Sequence, residues 1–219
     1  MDNKENRYYP IFLDIKDKEC VVVGGGMVAY RKIESLLDAG AKVTVISPDI
    51  IPDVSAMPGI KIRHRQYKPR DLKDAFLVIA ATNNEKENKA VSKEALSRHI
   101  FCNVVDQTDL CSFIVPSVVE KGLIKIAIST GGASPSLAGK LRKRIDKHIG
   151  KEYETLARIL DKIRPLVLSQ EGGASEHKRI FDVLIDSQLT DAIKDNDRSL
   201  AEDILFQALG VHITLEDIL

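Results

Sequence analysis

The first half of the chain alternates short apolar runs with amphipathic stretches. The apolar, strand-like runs are CVVVGG, AKVTVIS, KIRHRQY, AFLVIAAT and FCNVV, and the two longest stretches between them, AYRKIESLLDAG and KENKAVSKEALSRH, have helical spacing. Apolar strands separated by helices are typical of a parallel sheet that is covered on both faces and has right-handed crossovers. The pattern therefore predicts an α/β fold.

The alternation breaks in the middle of the chain. Apolar runs at 113–119 and 123–129 read as two strands joined by a turn at 121–122. A second glycine-rich bend then leads into a helix, in which Ser134 is the expected N-cap and Pro135 the first residue. This segment therefore predicts a small α+β unit that is separate from the first sheet.

The rest of the chain has the apolar spacing of helices. A continuous helical pattern covers 177–194, and a glycine-containing stretch at 170–178 reads as an exposed loop. We therefore predict a sheet domain at 1–112, the α+β segment at 113–150 and a C-terminal helical domain at 151–219.

Three glycines follow the first apolar run directly. Gly24, Gly26 and Ala29 occupy the positions of a GxGxxA fingerprint between a strand and a helix. Without side chains, the backbone can turn tightly and approach a pyrophosphate, which amide N–H groups and the positive helix end would bind. A plain strand-to-helix turn is the alternative for a lone motif, but the surrounding alternation favours a Rossmann-type dinucleotide-binding domain.

Two further segments bear on the cofactor. The second strand ends at Ser47, and Asp49 follows beyond Pro48, so the carboxylate expected at this strand end to bind the ribose is displaced. No arginine follows at once, which favours NAD over NADP. Small residues after the strand VIAAT are expected beside the cofactor. The predicted cofactor-binding residues are Gly24, Gly25, Gly26, Met27, Val28, Ser47, Pro48, Asp49, Ala81 and Thr82.

Composition distinguishes between membrane, secreted and cytoplasmic classes of protein. The 219 residues are 44% hydrophobic, yet no apolar run reaches the roughly 20 residues of a membrane-spanning helix. The polar start MDNKENRYYP does not resemble a secretory signal, so we expect a cytoplasmic protein without membrane association. The three cysteines form no CxxC pair and are expected to be buried thiols.

Charge is balanced overall but unevenly distributed. The formal net charge of zero does not suggest binding to nucleic acid. Two basic runs, at 61–70 and 140–151, read equally well as solvated faces or as anion-binding segments. The five histidines, His64, His99, His148, His177 and His212, lack the spacing of metal ligands, so no tightly bound metal is expected.

Four blocks of sequence carry a resemblance to a known family. They are YYPIFLDIKDKECVVVGGGMVAYRKIESLLDAGAKVTVISPDI, VIAATNNEKEN, CNVVDQTDLCSFIVPSVV and AISTGGASPSLAGKLRKRI. Over about residues 8–150 the chain resembles the precorrin-2 dehydrogenase / sirohydrochlorin ferrochelatase family, which also forms the amino-terminal part of siroheme synthases. The resemblance implies NAD-dependent oxidation of precorrin-2 to sirohydrochlorin in siroheme biosynthesis. It also implies metal insertion in some members, and the motifs do not separate the two cases.

One aspartate is the candidate general base of such an oxidation. Asp106 follows the strand FCNVV on its carboxyl side, where open α/β sheets bind their ligands. It also matches the aspartate of the family's NVVD motif, and the resemblance implies a catalytic role. An aspartate that only caps the following turn is the alternative, and Asp109 is a weaker candidate for the base.

The substrate implied by the resemblance is a reduced tetrapyrrole with eight carboxylate arms. Such a ligand requires cations and helix N-termini, which the second glycine-rich bend and the following basic helix supply. The candidate substrate-binding residues are Thr130, Gly131, Gly132, Ser134, Lys140 and Arg142. The basic run 61–70 is a poorer candidate for the same role.

The apolar strands at 113–129 would leave exposed edges unless they pair elsewhere. We therefore predict a homodimer across this segment, as the family resemblance also implies. Two other functions stay open: an NAD-sensing regulatory protein without catalysis, and a partner-binding role for the helical tail.

Overall fold

The computed structural model describes residues 8–218, with side chains up to Glu216. The chain forms two compact units, one ending at Val115 and the other starting at Pro116. The first is a parallel sheet between helices, which confirms the predicted α/β Rossmann-type fold. The division of the chain into three domains stays a prediction.

The first unit is built around a five-stranded sheet. Its elements are β1 (Glu19–Val23), α1 (Met27–Asp38), β2 (Lys42–Ile46), α2 (Pro52–Ser55), β3 (Ile60–Arg63), β4 (Leu77–Ala80), α3 (Glu85–Ser97) and β5 (Phe101–Val104). All strands are parallel, in the order β3-β2-β1-β4-β5. From β1 the strand order runs through β2 to β3 on one side and through β4 to β5 on the other, so it changes direction between β1 and β4. Such a switch point forms a crevice at the carboxyl ends of the strands.

Alternation of side chains along the strands divides the core into two layers. On β1, Cys20 and Val22 pack into the layer that includes Ile33 of α1. Val21 and Val23 pack on the opposite face with Val91 of α3. Because both faces of β1 are covered, apolar side chains are favoured on both, which explains the unbroken run CVVV.

The connections on either side of β3 differ from the regular alternation. Only the four-residue helix α2 joins β2 to β3, and a short 3-10 helix at Pro69–Leu72 joins β3 to β4. The strand itself ends at Arg63, earlier than the run KIRHRQY suggests. The two arginines of that run instead bind a carboxylate of the 3-10 helix, as described below.

The second unit combines a hairpin with a helical core. Its elements are β6 (Ser117–Lys121), β7 (Ile124–Ile128), α4 (Pro135–His148), α5 (Lys151–Ser169), α6 (Ala174–Asp186), α7 (Leu189–Lys194), α8 (Arg198–Leu209) and α9 (Leu215–Ile218). β6 and β7 are antiparallel and α4 packs against β6. The helices α5 to α9 bury a separate apolar cluster around Ile159, Leu184 and Leu205.

Two helical boundaries in this unit differ from the sequence patterns. The continuous pattern at 177–194 is two helices, because Ser187 donates a hydrogen bond to the Leu184 carbonyl at 2.7 Å and accepts one from the Leu189 N–H at 3.1 Å. The loop predicted at 170–178 ends at Gly173, and α6 begins at Ala174. Among residues 8–218, no helix combines the length and apolarity that crossing a membrane requires.

Candidate active site

The first glycine turn packs against the ends of two neighbouring strands. Gly24 has a φ of +121°, and a Cβ there would collide with the carbonyl oxygen of Ala81 after β4. A Cβ on Gly25 would likewise collide with the carbonyl oxygen of Asp49 after β2. The turn is fixed by a hydrogen bond from the Gly24 N–H to the Ile46 carbonyl at 2.9 Å. Space therefore requires glycine at both positions, and at Gly24 the positive φ requires it as well.

The third glycine faces open space. Gly26 is exposed, nothing lies within 4 Å of a Cβ built on it, and it immediately precedes α1. It has no side chain with which to cap the helix, and Met27 and Val28 in the first turn are exposed. The start of α1 is therefore an accessible helix N-terminus, the arrangement that binds phosphate groups.

A hydrogen bond within the turn after β2 stabilises that turn. The Ser47 hydroxyl is buried and donates a hydrogen bond to the Asp49 carbonyl at 2.7 Å. Because the hydroxyl proton already forms this hydrogen bond, Ser47 can act toward a ribose hydroxyl only as an acceptor. Pro48 and the Asp49 side chain are exposed, so the Asp49 carboxylate is the accessible acceptor at this strand end.

A polar network that the sequence analysis missed shapes the end of β4. Thr82 donates a hydrogen bond to the Asn88 side-chain oxygen at 2.8 Å, and the Asn88 amide donates to the Thr82 carbonyl at 3.0 Å. The Thr82 hydroxyl also accepts from the Asn84 N–H at 3.1 Å. Asn88 is only 2% exposed. The signal was present, because Asn88 shares helical spacing with the buried Val91 and Ala95 and so had to lie on the inner face of α3.

Asp106 lies just beyond the carboxyl end of β5, on the same sheet edge as the glycine turn. It is exposed and has a left-handed φ of +60°. Lys32 of α1 lies within electrostatic reach: its pKa is lowered, first by burial and then by Arg31, whereas the Asp106 carboxylate acts in the opposite direction. An aspartate tolerates this backbone conformation better than most residues, but the geometry still carries some strain. Asp109, in contrast, lies in a short 3-10 helix at Thr108–Leu110.

The segment after Asp106 returns along the edge of β5 and supports it. The Ser112 N–H donates to the Cys102 carbonyl at 2.9 Å, and the Cys102 N–H donates to the Ser112 hydroxyl at 2.8 Å. The Asn103 amide donates to the Phe113 carbonyl at 3.1 Å. These contacts cover the edge of the sheet and hold both ends of the loop that carries Asp106.

The basic run 61–70 forms a structural ion cluster. Arg63 and Arg65 both donate hydrogen bonds to Asp71, with N–O distances of 2.6 to 2.7 Å. The pKa of the Asp71 carboxyl is lowered to about 2, first by the hydrogen bond from Arg65. Arg63 and Arg65 are therefore already paired with a carboxylate. They belong neither to a plain solvated face nor to a free anion site, the two interpretations given above for this run.

The second glycine-rich bend is held by side chains. Thr130 donates a hydrogen bond to the Ser134 carbonyl at 3.1 Å and accepts one from the Ser134 N–H at 3.0 Å. Ser134 accepts a hydrogen bond from the Leu137 N–H at 3.2 Å, which confirms it as the N-cap of α4, with Pro135 as the first residue. Gly131 and Gly132 have φ values of +63° and +92°.

The cations of α4 are the remaining candidates for substrate binding. Lys140 is exposed and Arg142 is half-buried, and both follow the capped start of α4. Among the described side chains, those of residues 8–216, no group of three or more histidines, cysteines, aspartates or glutamates is placed to hold a metal ion.

Comparison with known families gives two matches in sequence order. A family model described as "Putative NAD(P)-binding" matches residues 11–117, and one described as "Sirohaem biosynthesis protein central" matches residues 121–148. The first range contains the sheet, the glycine turn and Asp106, and the second contains most of the hairpin, the second bend and α4.

Relatives found by sequence comparison agree with these matches. Siroheme synthases from Thioalkalivibrio sulfidiphilus and Escherichia coli O157:H7 are 37% and 36% identical, over 96% and 93% of this chain. The one from Methylobacillus flagellatus is 43% identical over 78% of this chain. The chain spans 44%, 45% and 37% of the lengths of these three relatives, respectively.

A solved structure described as "SirC, precorrin-2 dehydrogenase" has the same fold. It superposes with a TM-score of 0.77 at 24% identity, covering 93% of this chain and all of its own. The two ordered family matches, the fold and the siroheme synthase relatives lead to one assignment. The chain matches the part of siroheme synthases that contains the NAD(P)-binding domain and the sirohaem central segment.

Proposed function

We propose that the protein is an NAD-dependent precorrin-2 dehydrogenase that oxidises precorrin-2 to sirohydrochlorin in siroheme biosynthesis. The observation that carries this proposal is that the accessible start of α1 and the carboxylate of Asp106 both lie at the carboxyl ends of the strands, with Lys32 of α1 within electrostatic reach of Asp106. The comparisons support the choice of reaction, since siroheme synthases resemble this chain in sequence and a precorrin-2 dehydrogenase shares its fold.

The glycine turn fits a dinucleotide. Gly24 and Gly25 let the chain pack so closely that the first turn of α1 points its N–H groups into open space at Gly26. These groups and the positive end of α1 would bind the pyrophosphate, with the Asp49 carboxylate and the Ser47 oxygen accepting from a ribose hydroxyl. Ala81 and Thr82 would border the nicotinamide side. When bound, NAD supplies the hydride acceptor.

Asp106 would take the proton that the oxidation releases. Loss of two hydrogens from precorrin-2 sends one hydride to the cofactor and one proton to a base, which balances the reaction. Lys32 of α1 lies within electrostatic reach and adds positive charge beside this carboxylate. The exposed position of Asp106 leaves its oxygens accessible to a substrate.

The carboxylate arms of the substrate are assigned to the second bend and to α4. Gly131 and Gly132 expose backbone at the start of a helix, and Lys140 and Arg142 add positive charge along it. Thr130 and Ser134 would shape this bend rather than bind the arms through their hydroxyls, since both side chains already hydrogen-bond within it.

A homodimer through the hairpin is part of the proposal. β6 and β7 form a two-stranded sheet, and over residues 8–218 neither strand pairs with a third. Three large apolar side chains of this region are exposed: Val118, Leu123 and Leu137 are 36%, 60% and 50% accessible. A second copy would cover such a surface. Light scattering on wild type and Leu123→Lys tests this, and a wild-type monomer at micromolar concentration would contradict it.

We place the reaction in the cytoplasm. The three cysteines form no disulfide, and burial raises the pKa of Cys20 and Cys102 to about 11, so both remain thiols at neutral pH. Reduced thiols suit a reducing compartment.

The proposed reaction is tested by an anaerobic assay with precorrin-2 generated in situ, following the sirohydrochlorin spectrum with NAD. The variant of choice is Asp106→Asn, because asparagine tolerates a φ of +60° and removes only the charge. We expect wild-type turnover and a loss of about 100-fold or more in the variant, in line with general-base contributions. Asp109→Asn is the matched control and should retain activity.

Each result of this assay has a definite consequence. No oxidation by wild type with NAD or NADP would refute the proposal and favour an NAD-sensing role. An active Asp106→Asn variant would keep the reaction but remove Asp106 as its base. Adding ferrous or cobaltous ion tests metal insertion separately, which requires a rate above the spontaneous one.

A further inference from the structure

A buried ionic cluster stands at the carboxyl end of β3. The Asp71 side chain is only 1% exposed, whereas those of Arg63 and Arg65 are 47% and 32% exposed. Arg65 donates two hydrogen bonds to the Asp71 carboxylate, Arg63 donates one, and the backbone N–H of Lys68 donates a fourth at 2.9 Å. Two guanidinium groups and one carboxylate leave the cluster with a single excess positive charge.

The cluster lies one strand away from the ribose side of the proposed cofactor site. Arg63, the last residue of β3, is paired in register with Ile46, the last residue of β2. The Ser47 N–H, at the start of the turn after β2, donates to the Arg63 carbonyl at 3.3 Å. In Rossmann domains the ribose hydroxyls bind at this strand end, and a nearby arginine accommodates the additional 2′-phosphate of NADP.

We propose that Asp71 determines the specificity of the site for NAD over NADP, by holding Arg63 and Arg65 away from a 2′-phosphate. The planar guanidinium forks that would bind a phosphate are already used on the carboxylate. Withdrawing them would leave a buried, uncompensated negative charge, which is strongly unfavourable. This inference rests on the proposed function, because it assigns the cofactor preference of the same site.

The decisive measurement is the dissociation constant of NADH and of NADPH, determined by fluorescence titration without substrate. Wild type should bind NADH more tightly than NADPH. Asp71→Asn keeps the shape of the side chain but frees the two arginines, so NADPH affinity should rise by about tenfold or more while NADH affinity changes less than about threefold. Asp74→Asn is the matched control: it removes an equal charge at an exposed position nearby and should leave both constants unchanged.

A second variant covers the possibility that Asp71→Asn does not fold. Arg63→Gln leaves Asp71 with its two hydrogen bonds from Arg65, and it removes the excess positive charge of the cluster. NADPH affinity should then fall by about threefold or more, with NADH unchanged. NADH affinity that fell equally would instead indicate a structural role.

The possible failures can be told apart. A wild type that binds NADH but whose NADPH affinity responds to neither variant refutes this inference alone, as does a wild type that prefers NADPH. A wild type that binds neither nucleotide refutes the proposed function, and the inference with it.

Discussion

Two glycine-rich bends lead from a strand into a helix in this chain, and they are built differently. In the first, Gly24 and Gly25 are packed so closely against neighbouring backbone that a Cβ would collide, and Gly26 leaves the helix without a side-chain cap. In the second, nothing lies within 4 Å of a Cβ on Gly131, and Ser134 caps the helix. Close packing requires glycine at Gly24 and Gly25 in the first bend, whereas at Gly131 in the second bend only the left-handed backbone conformation favours it.

The largest effect is expected from Gly24→Ala. The new methyl group would collide with the Ala81 carbonyl at a φ of +121°, so strain and overpacking should cost about 3 to 5 kcal/mol in the free energy of unfolding. NAD binding should be lost as well. Urea unfolding and nucleotide titration measure the two effects, and a variant of wild-type stability would show that the turn is not tightly packed.

Acid should affect the first unit more than the second. The folded-state pKa of Asp71 is about 2, below its ordinary value of 3.8, so protonation favours the unfolded state. Its contribution of about 2 kcal/mol is present above pH 4 and is lost as the pH falls toward 2. Urea unfolding at pH 5 and pH 3 should show about half of this loss in wild type and in the Asp74→Asn control, but not in Asp71→Asn.

Gly131→Ala should be milder than Gly24→Ala. Only the left-handed φ of +63° opposes it, because the space beside Gly131 is open, and the expected cost is about 1 to 2 kcal/mol. Gly131→Asn should recover most of this, since asparagine tolerates that conformation. Equal unfolding free energies for Gly24→Ala and Gly131→Ala would remove the difference between the bends.

Ser134→Ala should cost about 1 kcal/mol, the usual value of a lost N-cap. The hydrogen bond from the Leu137 N–H is removed, while the Thr130 hydroxyl can still accept from the N–H of residue 134. Thermal unfolding measures the loss. The control is Ser136→Ala, because this serine is exposed and lies two residues further along the chain. No change in the melting temperature would show that the cap is not needed.

The smallest change in stability, with a large change in binding, is expected from Gly26→Ser. Gly26 has the extended conformation of an N-cap and open space around it, so a serine would cap α1 and stabilise the fold by a few tenths of a kcal/mol. The same side chain would occupy N–H groups proposed for the pyrophosphate, so NADH affinity should fall about tenfold. Unchanged affinity would remove the start of α1 from the cofactor site.

The sheet unit was predictable because its signals are local and repeated. Unbroken valines mark strands buried on both faces, and Gly24 and Gly26 mark the turn between β1 and α1. The placement of Asp106 beyond β5 followed from the end of an apolar run. The Ser134 cap followed from a serine placed before a proline.

Other features depend on contacts that no local pattern encodes. Arg63 and Arg65 looked like free cations because Asp71 lies several residues away, and only the 3-10 helix brings its carboxylate back to them. Asn88 looked like an ordinary polar residue of a helix, although the inner face of α3 buries it against Thr82. The break at Ser187 arises from side-chain hydrogen bonds that compete with the helix.

The strand order also has a consequence during synthesis on the ribosome. Cys20 of β1 is paired with Leu77 of β4, so the second partner of the central strand is made 57 residues later (77 minus 20). At translation rates of 5 to 20 residues per second this interval lasts roughly 3 to 11 seconds. Throughout it, the nascent segment CVVV has at most one of its two neighbouring strands, so one edge of this apolar strand stays unpaired until β4 is made.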